Sequence, residues 1–293
     1  MHETAMSKPY RSVWSDLREV SFRHDWIDAG GIRTRFAQAG DPKSPTLIML
    51  HGTGGSWEAF CGNLGAHAKA FNCYAIDMVG SGFSDKPPHD YEISSYIDHI
   101  LKFMKAVGVE RASFIGVSLG AWVAARLAID HPEAVDKMTL CAVSGMVANK
   151  ATMQRIQSQR FKAVDDPSWE NISSIFDNLI HDPENKIDDL IAVRQSVYQL
   201  PGARDAMARI LVLQDPEIRE RNLIPEDEWR RITAPTLLIG SVDDPNVFLD
   251  TARKVATLIP NAVYVEMKNV GHWPQFEDPA TFNAVNLNFL RGE

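Results

Sequence analysis

Short apolar runs alternate with segments of helical periodicity over the first half of the chain. The apolar run at 46–50 ends at a glycine cluster, and the run at 71–76 ends at an aspartate, as buried strands often do. Residues 93–108 repeat apolar positions at helical spacing, and a strand-like run at 112–117 leads directly into a helical pattern at 119–132. Because strands that alternate with helices pair in parallel, we predict an α/β fold with a mostly parallel central sheet and helices on both faces.

A hairpin precedes this alternation, and a long insertion interrupts it. Residues 25–40 read as two strands joined by a Gly-Gly turn. No strand-like run occurs at 147–229, where helical stretches follow one another. We therefore predict a core formed by 1–146 and 230–293, with 147–229 as a helical cap (lid) over the strand ends. The other predicted strands and helices are 135–143, 234–240, 248–259, 262–267 and 278–290.

The composition of the 293 residues narrows the functional classes. A net charge of −8, with scattered Lys and Arg, argues against nucleic acid or a membrane surface as a partner. The cysteines Cys61, Cys73 and Cys141 lie far apart and fit neither a disulfide framework nor a zinc site, so we expect reduced thiols and no metal. No apolar stretch reaches the roughly 20 residues of a membrane helix. The N-terminal residues lack the apolar core of a secretory signal, so we predict a cytoplasmic protein.

The pentapeptide GVSLG at 116–120 matches the pattern G-x-S-x-G and lies between a predicted strand and a predicted helix. A nucleophilic serine needs such a tight turn to hold its hydroxyl above the sheet, and glycines at both ends keep the turn uncrowded. The helix that begins at Leu119 would offer backbone N–H groups to a developing negative charge. We interpret Ser118 as a nucleophile; the alternative is a serine that caps a helix.

A serine hydroxyl needs a base, and the base needs a carboxylate. His272 lies in a loop between the last predicted strand and the last helix, where catalytic residues often occur. His51 is the rival, although its place beside Gly52 suggests that it holds a loop through hydrogen bonds. Asp243 and Asp244 follow a strand, and either could orient the base or cap the turn before a proline.

The glycine-rich stretch LHGTGGSW follows a predicted strand and suggests a second functional loop. Backbone N–H groups of Thr53 or Gly54 could stabilise an oxyanion together with the N–H of Leu119. A dinucleotide loop is the competing interpretation, since Asp77 ends the next strand at about the spacing of a ribose-binding acid. Trp57 occupies the position of the third glycine of that motif, and its indole cannot make the close contact required there. We therefore expect no cofactor.

The motifs LHGTGG, DMVGSGFSDKP, GVSLG and GHWPQFEDP together resemble those of the α/β-hydrolases, in order and spacing, over nearly the whole chain. The order Ser, Asp, His also agrees with that superfamily. Within it the chain most resembles the meta-cleavage product hydrolases. These enzymes cut a C–C bond in 2-hydroxy-6-oxo-hexa-2,4-dienoates, the ring-opened products of aromatic catabolism.

The resemblance implies a role for further side chains. Asp244, rather than Asp243, falls in the position of the triad acid. Trp273 corresponds to the tryptophan that follows the catalytic histidine and lines the substrate site. Arg194 falls where the subfamily has an arginine that binds the dienoate carboxylate, which a guanidinium can grip in two places; a solvated helix arginine is the alternative. The expected ligand is a small anionic molecule.

Two positions depart from the subfamily, and they keep other functions open. Val117 and Ala59 stand where the subfamily usually has asparagines that hold the polar end of the dienoate. A carboxylesterase with the same triad is therefore the first alternative to C–C hydrolysis. The second is a non-enzymatic ligand receptor on the same fold. Haloalkane dehalogenases and epoxide hydrolases are disfavoured because they use an aspartate where Ser118 stands. The resemblance also allows a homodimer or a larger homo-oligomer.

Overall fold

The computed structural model describes residues 11–293 and contains an eight-stranded sheet. Its strands lie in the order β1-β2-β4-β3-β5-β6-β7-β8, with β2 antiparallel to β1 and to β4 and all other neighbours parallel. The strands are β1 (Phe22–Asp28), β2 (Arg33–Ala39), β3 (Thr46–Leu50), β4 (Asn72–Ile76), β5 (Ala112–Val117), β6 (Val135–Cys141), β7 (Thr236–Ser241) and β8 (Ala262–Met267). The predicted mostly parallel α/β fold is confirmed. Residues 1–10, which the sequence analysis assigned to the core, lie outside the described residues.

Within residues 11–293, seven α-helices accompany the strands. They are α1 (Val13–Leu17), α2 (Cys61–His67), α3 (Ile93–Ala106), α4 (Leu119–Asp130), α11 (Phe248–Ala256), α12 (Pro274–Glu277) and α13 (Pro279–Arg291). Between β6 and β7 the described chain forms helices and no strand. These are α5 (Lys150–Asp165), α6 (Trp169–Phe176), α7 (Asp188–Tyr198), α8 (Ala203–Ile210), α9 (Pro216–Asn222) and α10 (Glu226–Trp229). The division of the chain into a core and a cap remains a prediction.

The alternation of side chains along the central strands builds an apolar layer on each face of the sheet. On β3, Ile48 and Leu50 belong to one buried cluster, whereas Leu47 and Met49 belong to the other. Successive side chains of a strand point to opposite faces, so a strand buried on both faces reads as a continuous apolar run. This pattern explains why the run at 46–50 could be recognised as a strand.

Most element boundaries agree with the prediction within a few residues. The strands at 46–50, 112–117 and 262–267 begin and end where the sequence indicated. The helix predicted at 93–108 ends at Ala106, because Gly108 adopts a positive φ of 74°. Helix α11 also ends three residues early, at Ala256.

The parallel strands bring distant loops to one edge of the sheet. The segments that follow β3, β5, β7 and β8 all leave from the carboxyl ends of their strands, and these segments carry Thr53, Ser118, Asp244 and His272. Ligands of open α/β sheets bind at this edge. Within residues 11–293, no helix combines the length and the apolar character needed to cross a membrane.

Candidate active site

Ser118 occupies a strained turn between β5 and α4. Its φ of 56° is positive, which is unfavourable for a residue with a side chain. The turn is held by a hydrogen bond of 3.0 Å from Ser118 N–H to Cys141 O on the adjacent strand. The Ser118 side chain makes no capping hydrogen bond to α4. Ser118 thus stands at the N-cap position of α4, but its side chain takes no part in capping, so the hydroxyl is available for another role.

The glycines on either side of Ser118 are required by close packing. A Cβ on Gly116 would lie 2.4 Å from Gly120 O, and a Cβ on Gly120 would lie 2.1 Å from Leu50 O. Both neighbours are backbone atoms, so they cannot move aside as a flexible side chain could. The G-x-S-x-G pattern thus reflects how tightly α4 approaches β5 and β3 at this turn.

Asp244 and His272 form a buried pair. The distance between Asp244 Oδ2 and His272 Nδ1 is 2.8 Å, and the two side chains are 1% and 7% exposed. Burial alone would raise the pKa of Asp244, but His272, together with hydrogen bonds from His272 and Asn246, lowers it below its ordinary value. An ionised carboxylate on Nδ1 leaves Nε2 as the nitrogen that can accept a proton.

The neighbouring Asp243 serves the loop rather than the imidazole. Its Oδ2 accepts the backbone N–H of Asn269 at 2.7 Å, and this bond ties the loop after β7 to the loop before His272. Asp244 also accepts two hydrogen bonds from Asn246, at 2.9 Å from the backbone and 2.7 Å from the side chain. The structure therefore brings Asp244, and not Asp243, to the histidine.

Ser118 and His272 line the same cavity, together with Thr53, Phe248 and Trp273. The Phe248 ring packs edge-on against the imidazole, with 4.5 Å between ring centroids. No hydrogen bond joins Ser118 Oγ to His272 within the described chain. Such bonds are often long before substrate binds, so the predicted serine–histidine contact remains a prediction.

The candidate oxyanion donors are not equivalent. Leu119 is the first residue of α4, and its N–H therefore has no partner within that helix. Thr53 lines the cavity beside Ser118. Gly54 instead faces helices α7 and α8, where a Cβ on it would lie 3.3 Å from both Met207 Cε and the Tyr198 hydroxyl. Of Thr53 and Gly54, only Thr53 lines the two cavities that Ser118 also lines.

Two cavities meet at Ser118. The first is bounded by apolar side chains such as Trp122, Val143 and Met153 and by polar ones that include Gln214 and Arg219, and the donors of Arg219 are bound to backbone carbonyls of Leu213 and Val147. The second, which we call the polar cavity, is bounded by Arg155, Gln159, Arg160 and Asn178 among others. Ser118, Thr53, Ile156 and Phe248 line both. A bound molecule that extends into both cavities would place a bond between its two ends at the serine.

Arg194 is buried at 6% exposure, so the alternative of a solvated helix arginine is wrong. Its guanidinium carbon lies 4.8 Å from the ring centroid of Phe176 and 5.8 Å from that of Trp273. Its Nη1 has no hydrogen-bond partner among the described residues. Burial lowers its pKa below the ordinary arginine value. Trp273 lines the polar cavity, and Arg194 contacts Trp273 without being one of the residues that line this cavity.

His51 and Asp77, the alternative candidates for the base and for a ribose-binding acid, have structural partners. His51 donates from Nδ1 to Gly52 O at 2.7 Å and accepts the Met78 N–H at Nε2, so it is neutral and holds two loops, as expected. Burial lowers its pKa. Asp77 is fully buried and is bound by Arg35 at 2.6 Å, which leaves it unavailable to a ribose. Within residues 11–293, no three His, Cys, Asp or Glu side chains are grouped so that they could hold a metal ion.

Sequence reasoning missed Glu277 and the arginines of α5. Glu277 accepts backbone N–H groups of Gly271 at 2.6 Å and of His181 at 2.8 Å, and so joins the histidine loop to the segment after α6. The motif GHWPQFEDP contains Glu277, but one of its partners lies far away in sequence. Arg155 and Arg160 are separated by five positions in α5 and line the polar cavity. Side chains three or four positions apart share a helix face, so a spacing of five gave no local signal for them.

The comparisons with known proteins agree with this geometry. The family model described as "alpha/beta hydrolase fold" matches residues 45–279. The chain belongs to this family. A 2-hydroxy-6-oxo-6-(2'-aminophenyl)hexa-2,4-dienoic acid hydrolase of Metapseudomonas resinovorans is 28% identical over 286 residues, covering 94% of this chain and 93% of the relative. A 2-hydroxymuconate semialdehyde hydrolase of Pseudomonas sp. strain CF600 is 28% identical over 273 residues, covering 90% and 92%.

Solved structures of hydrolases resemble the chain as well. A meta-cleavage product hydrolase of Pseudomonas fluorescens IP01, a serine-to-alanine variant complexed with acetates, has a TM-score of 0.77 at 25% identity and covers 94% of this chain and 99% of its own. The 2-hydroxy-6-oxo-6-phenylhexa-2,4-dienoate hydrolase of Rhodococcus sp. strain RHA1 has a TM-score of 0.82 at 24% identity, covering 93% and 99%, and it supports the fold. The α/β-hydrolase described above is thus an enzyme, and it resembles the meta-cleavage product hydrolases.

Proposed function

We propose that this hydrolase cleaves a C–C bond in a meta-cleavage product of the 2-hydroxy-6-oxo-hexa-2,4-dienoate type. Ser118 is the nucleophile, His272 transfers protons and Asp244 orients His272. The N–H groups of Leu119 and Thr53 stabilise the oxyanion; Gly54, the other candidate, contributes by shaping the loop. The names of the relatives support the substrate class, and the Asp244–His272 pair at 2.8 Å supports the roles.

The reaction follows from these roles. The dienol is first converted to its keto form. Ser118 Oγ then attacks the ketone carbon while its proton passes to His272 Nε2, and the two N–H groups bind the resulting oxyanion. The C–C bond beside that carbon breaks, and the released carbanion takes the proton from His272. Water, activated by the same histidine, hydrolyses the acyl ester on Ser118 and releases a carboxylic acid.

The meeting of two cavities at Ser118, one of them lined by Arg155 and Arg160, is the observation that carries the proposal. A meta-cleavage product has a charged dienoate at one end and a separate substituent at its ketone. We propose that the dienoate occupies the polar cavity, against Trp273 and near Arg194, and that the substituent occupies the other cavity, beside Trp122 and Val143. Helix α5 of the proposed cap, 147–229, lines both cavities and would cover the substrate on both sides of the ketone.

The Ser118→Ala variant tests the proposal. We expect a yellow 2-hydroxy-6-oxo-hexa-2,4-dienoate to lose its colour with the wild-type enzyme and to be bound but not hydrolysed by the variant. Stopped-flow absorbance measures both binding and turnover. Normal turnover by Ser118→Ala would refute the role of the serine. An untouched dienoate with the wild-type enzyme would refute the substrate class.

Ester hydrolysis is the second candidate, and two side chains favour it. Val117 and Ala59 are buried at 1% and 3% exposure and offer no polar group to a dienoate. The same serine and histidine would then cleave an ester, with an alcohol instead of a carbanion as the leaving group. Rapid hydrolysis of a p-nitrophenyl ester by an enzyme that leaves the dienoate unchanged would identify a carboxylesterase.

A further inference from the structure

Arg160 is a buried arginine for which residues 11–293 supply no hydrogen-bond acceptor to its Nε. The residue is 5% exposed and belongs to helix α5. Burial lowers its pKa to about 10, so it still carries a positive charge at neutral pH. A buried charge without a partner is unfavourable. An anion that reaches this guanidinium would therefore remove an existing penalty as well as form a charge-assisted hydrogen bond.

The position of Arg160 connects this unpaired charge to the active site. Arg160 lines the same cavity as Ser118, His272 and Trp273. Arg155, which precedes it in α5, also lines this cavity, but its Nη2 already donates to Asn246 Oδ1 at 2.9 Å. Among the described residues, Arg160 has no such commitment. It is therefore the arginine of this cavity whose donors are available to a ligand.

A second buried cation, Arg194, packs against Trp273, which lines the same cavity. The guanidinium carbon of Arg194 lies 5.8 Å from the centroid of the Trp273 ring. Arg194 Nη1 is also without a partner in the described part of the chain. The positive charges of Arg160 and Arg194 would both attract an anion bound in this cavity. The two arginines therefore match a ligand with a carboxylate at the end that enters the polar cavity.

We propose that Arg160 is a specificity-determining residue that binds the carboxylate of the substrate, together with Arg194. This inference rests on the proposed function, because that function places the dienoate in the polar cavity. The side chains of Val117 and Ala59 cannot donate hydrogen bonds to the substrate, and the guanidinium of Arg160 supplies such donors from α5 instead. The contribution of Arg160 is thus specific to the charged end of the dienoate.

The test measures binding of hexa-2,4-dienoate and of its uncharged amide by isothermal titration calorimetry. Hexa-2,4-dienoate lacks the ketone, so its binding does not depend on C–C hydrolysis. In Arg160→Gln we expect the dissociation constant of the carboxylate to rise by about 10- to 100-fold, with little change for the amide. Arg160→Lys should restore part of the affinity because it restores the charge. Arg204→Gln, at an exposed arginine paired with Asp165 in the same region, is the matched control and should bind like the wild type.

Each possible result of these measurements supports or contradicts the role of Arg160. Equal weakening of carboxylate and amide binding in Arg160→Gln would indicate a structural role and overturn it. Unchanged carboxylate affinity in that variant, or no binding of hexa-2,4-dienoate to the wild-type protein at millimolar concentration, would also overturn it. Turnover of a 2-hydroxy-6-oxo-hexa-2,4-dienoate is measured separately. If the protein binds the carboxylate through Arg160 but does not turn over the dienoate, the proposed function alone is refuted. If the protein turns over the dienoate and Arg160→Gln leaves KM at the wild-type value, this inference alone is refuted.

Discussion

Replacing Asp244 by asparagine tests the ion pair at the centre of the proposed triad. When His272 takes the proton of Ser118 it becomes a cation, and Asp244 Oδ2 lies 2.8 Å from its Nδ1 in an environment that is almost fully buried. Two unit charges about 4 Å apart attract by about 4 kcal/mol at an effective dielectric constant of about 20. Asparagine has no charge to offer, and 4 kcal/mol corresponds to about a thousandfold in rate.

The same substitution also changes the tautomer of the imidazole. Asp244 accepts a hydrogen bond from Nδ1–H, whereas an asparagine amide can donate to Nδ1 and move the ring proton to Nε2. Nε2 would then be unable to accept the proton of Ser118. This change costs about 10⁴-fold in the serine protease triad. We therefore expect kcat/KM of Asp244→Asn to fall by about 10³- to 10⁴-fold.

The adjacent aspartate provides the matched control. Asp243→Asn removes a charge one residue away and weakens the bond to Asn269 N–H, so we expect a loss of about 1 kcal/mol in stability and nearly normal kcat/KM. Steady-state turnover of the dienoate and circular dichroism of both variants measure the two effects. A kcat/KM of Asp244→Asn within about tenfold of the wild type, or a larger loss in Asp243→Asn, would contradict the role of Asp244.

Two further substitutions and one dependence of stability on pH follow from the contacts around the site. Glu277→Gln removes the carboxylate that accepts Gly271 N–H at 2.6 Å, so we expect Tm and kcat to fall, with about 1.5–3 kcal/mol lost from the free energy of unfolding. Gly120→Ala would place a Cβ 2.1 Å from Leu50 O, so we expect no folded monodisperse protein on gel filtration. The pKa of Asp244 is lowered by folding, so its contribution to stability is present above the ordinary value of 3.8 and is lost as pH falls through the folded value. The difference in Tm between wild type and Asp244→Asn should therefore shrink below pH 3.8.

Controls for these changes are available in the same chain. Glu170→Gln alters an exposed glutamate and should leave Tm unchanged, and an equal loss in both glutamate variants would contradict the role of Glu277. Gly108 has a φ of 74°, but a Cβ added to it would have no atom within 4 Å, so Gly108→Ala should cost only about 1–2 kcal/mol. A folded, active Gly120→Ala protein would contradict the packing argument. A Tm difference that grows on acidification would contradict the lowered pKa of Asp244.

Short sequence patterns were sufficient to predict the strands and the turn that position the site. The continuous apolar runs of β3 and β5 identified strands buried on both faces, and the glycines at 116 and 120 identified the tight turn between β5 and α4. Both signals depend on neighbours within a few residues, or on a backbone conformation that glycine alone permits. The resemblance of four motifs to the α/β-hydrolases then indicated the order in which the loops meet.

The sequence by itself determined the alternating elements, the turn that presents Ser118 and the candidates for its partners, because periodicity and turn chemistry act over short distances. The tertiary structure decided which aspartate reaches His272, because Asp243 and Asp244 differ only in the direction of their side chains. It also decided that Arg160 is buried beside Ser118 with no acceptor for its Nε among the described residues, since this depends on how α5 packs over strand ends that lie far away along the chain. Burial and pairing are properties of contacts between distant residues, and no local pattern records them.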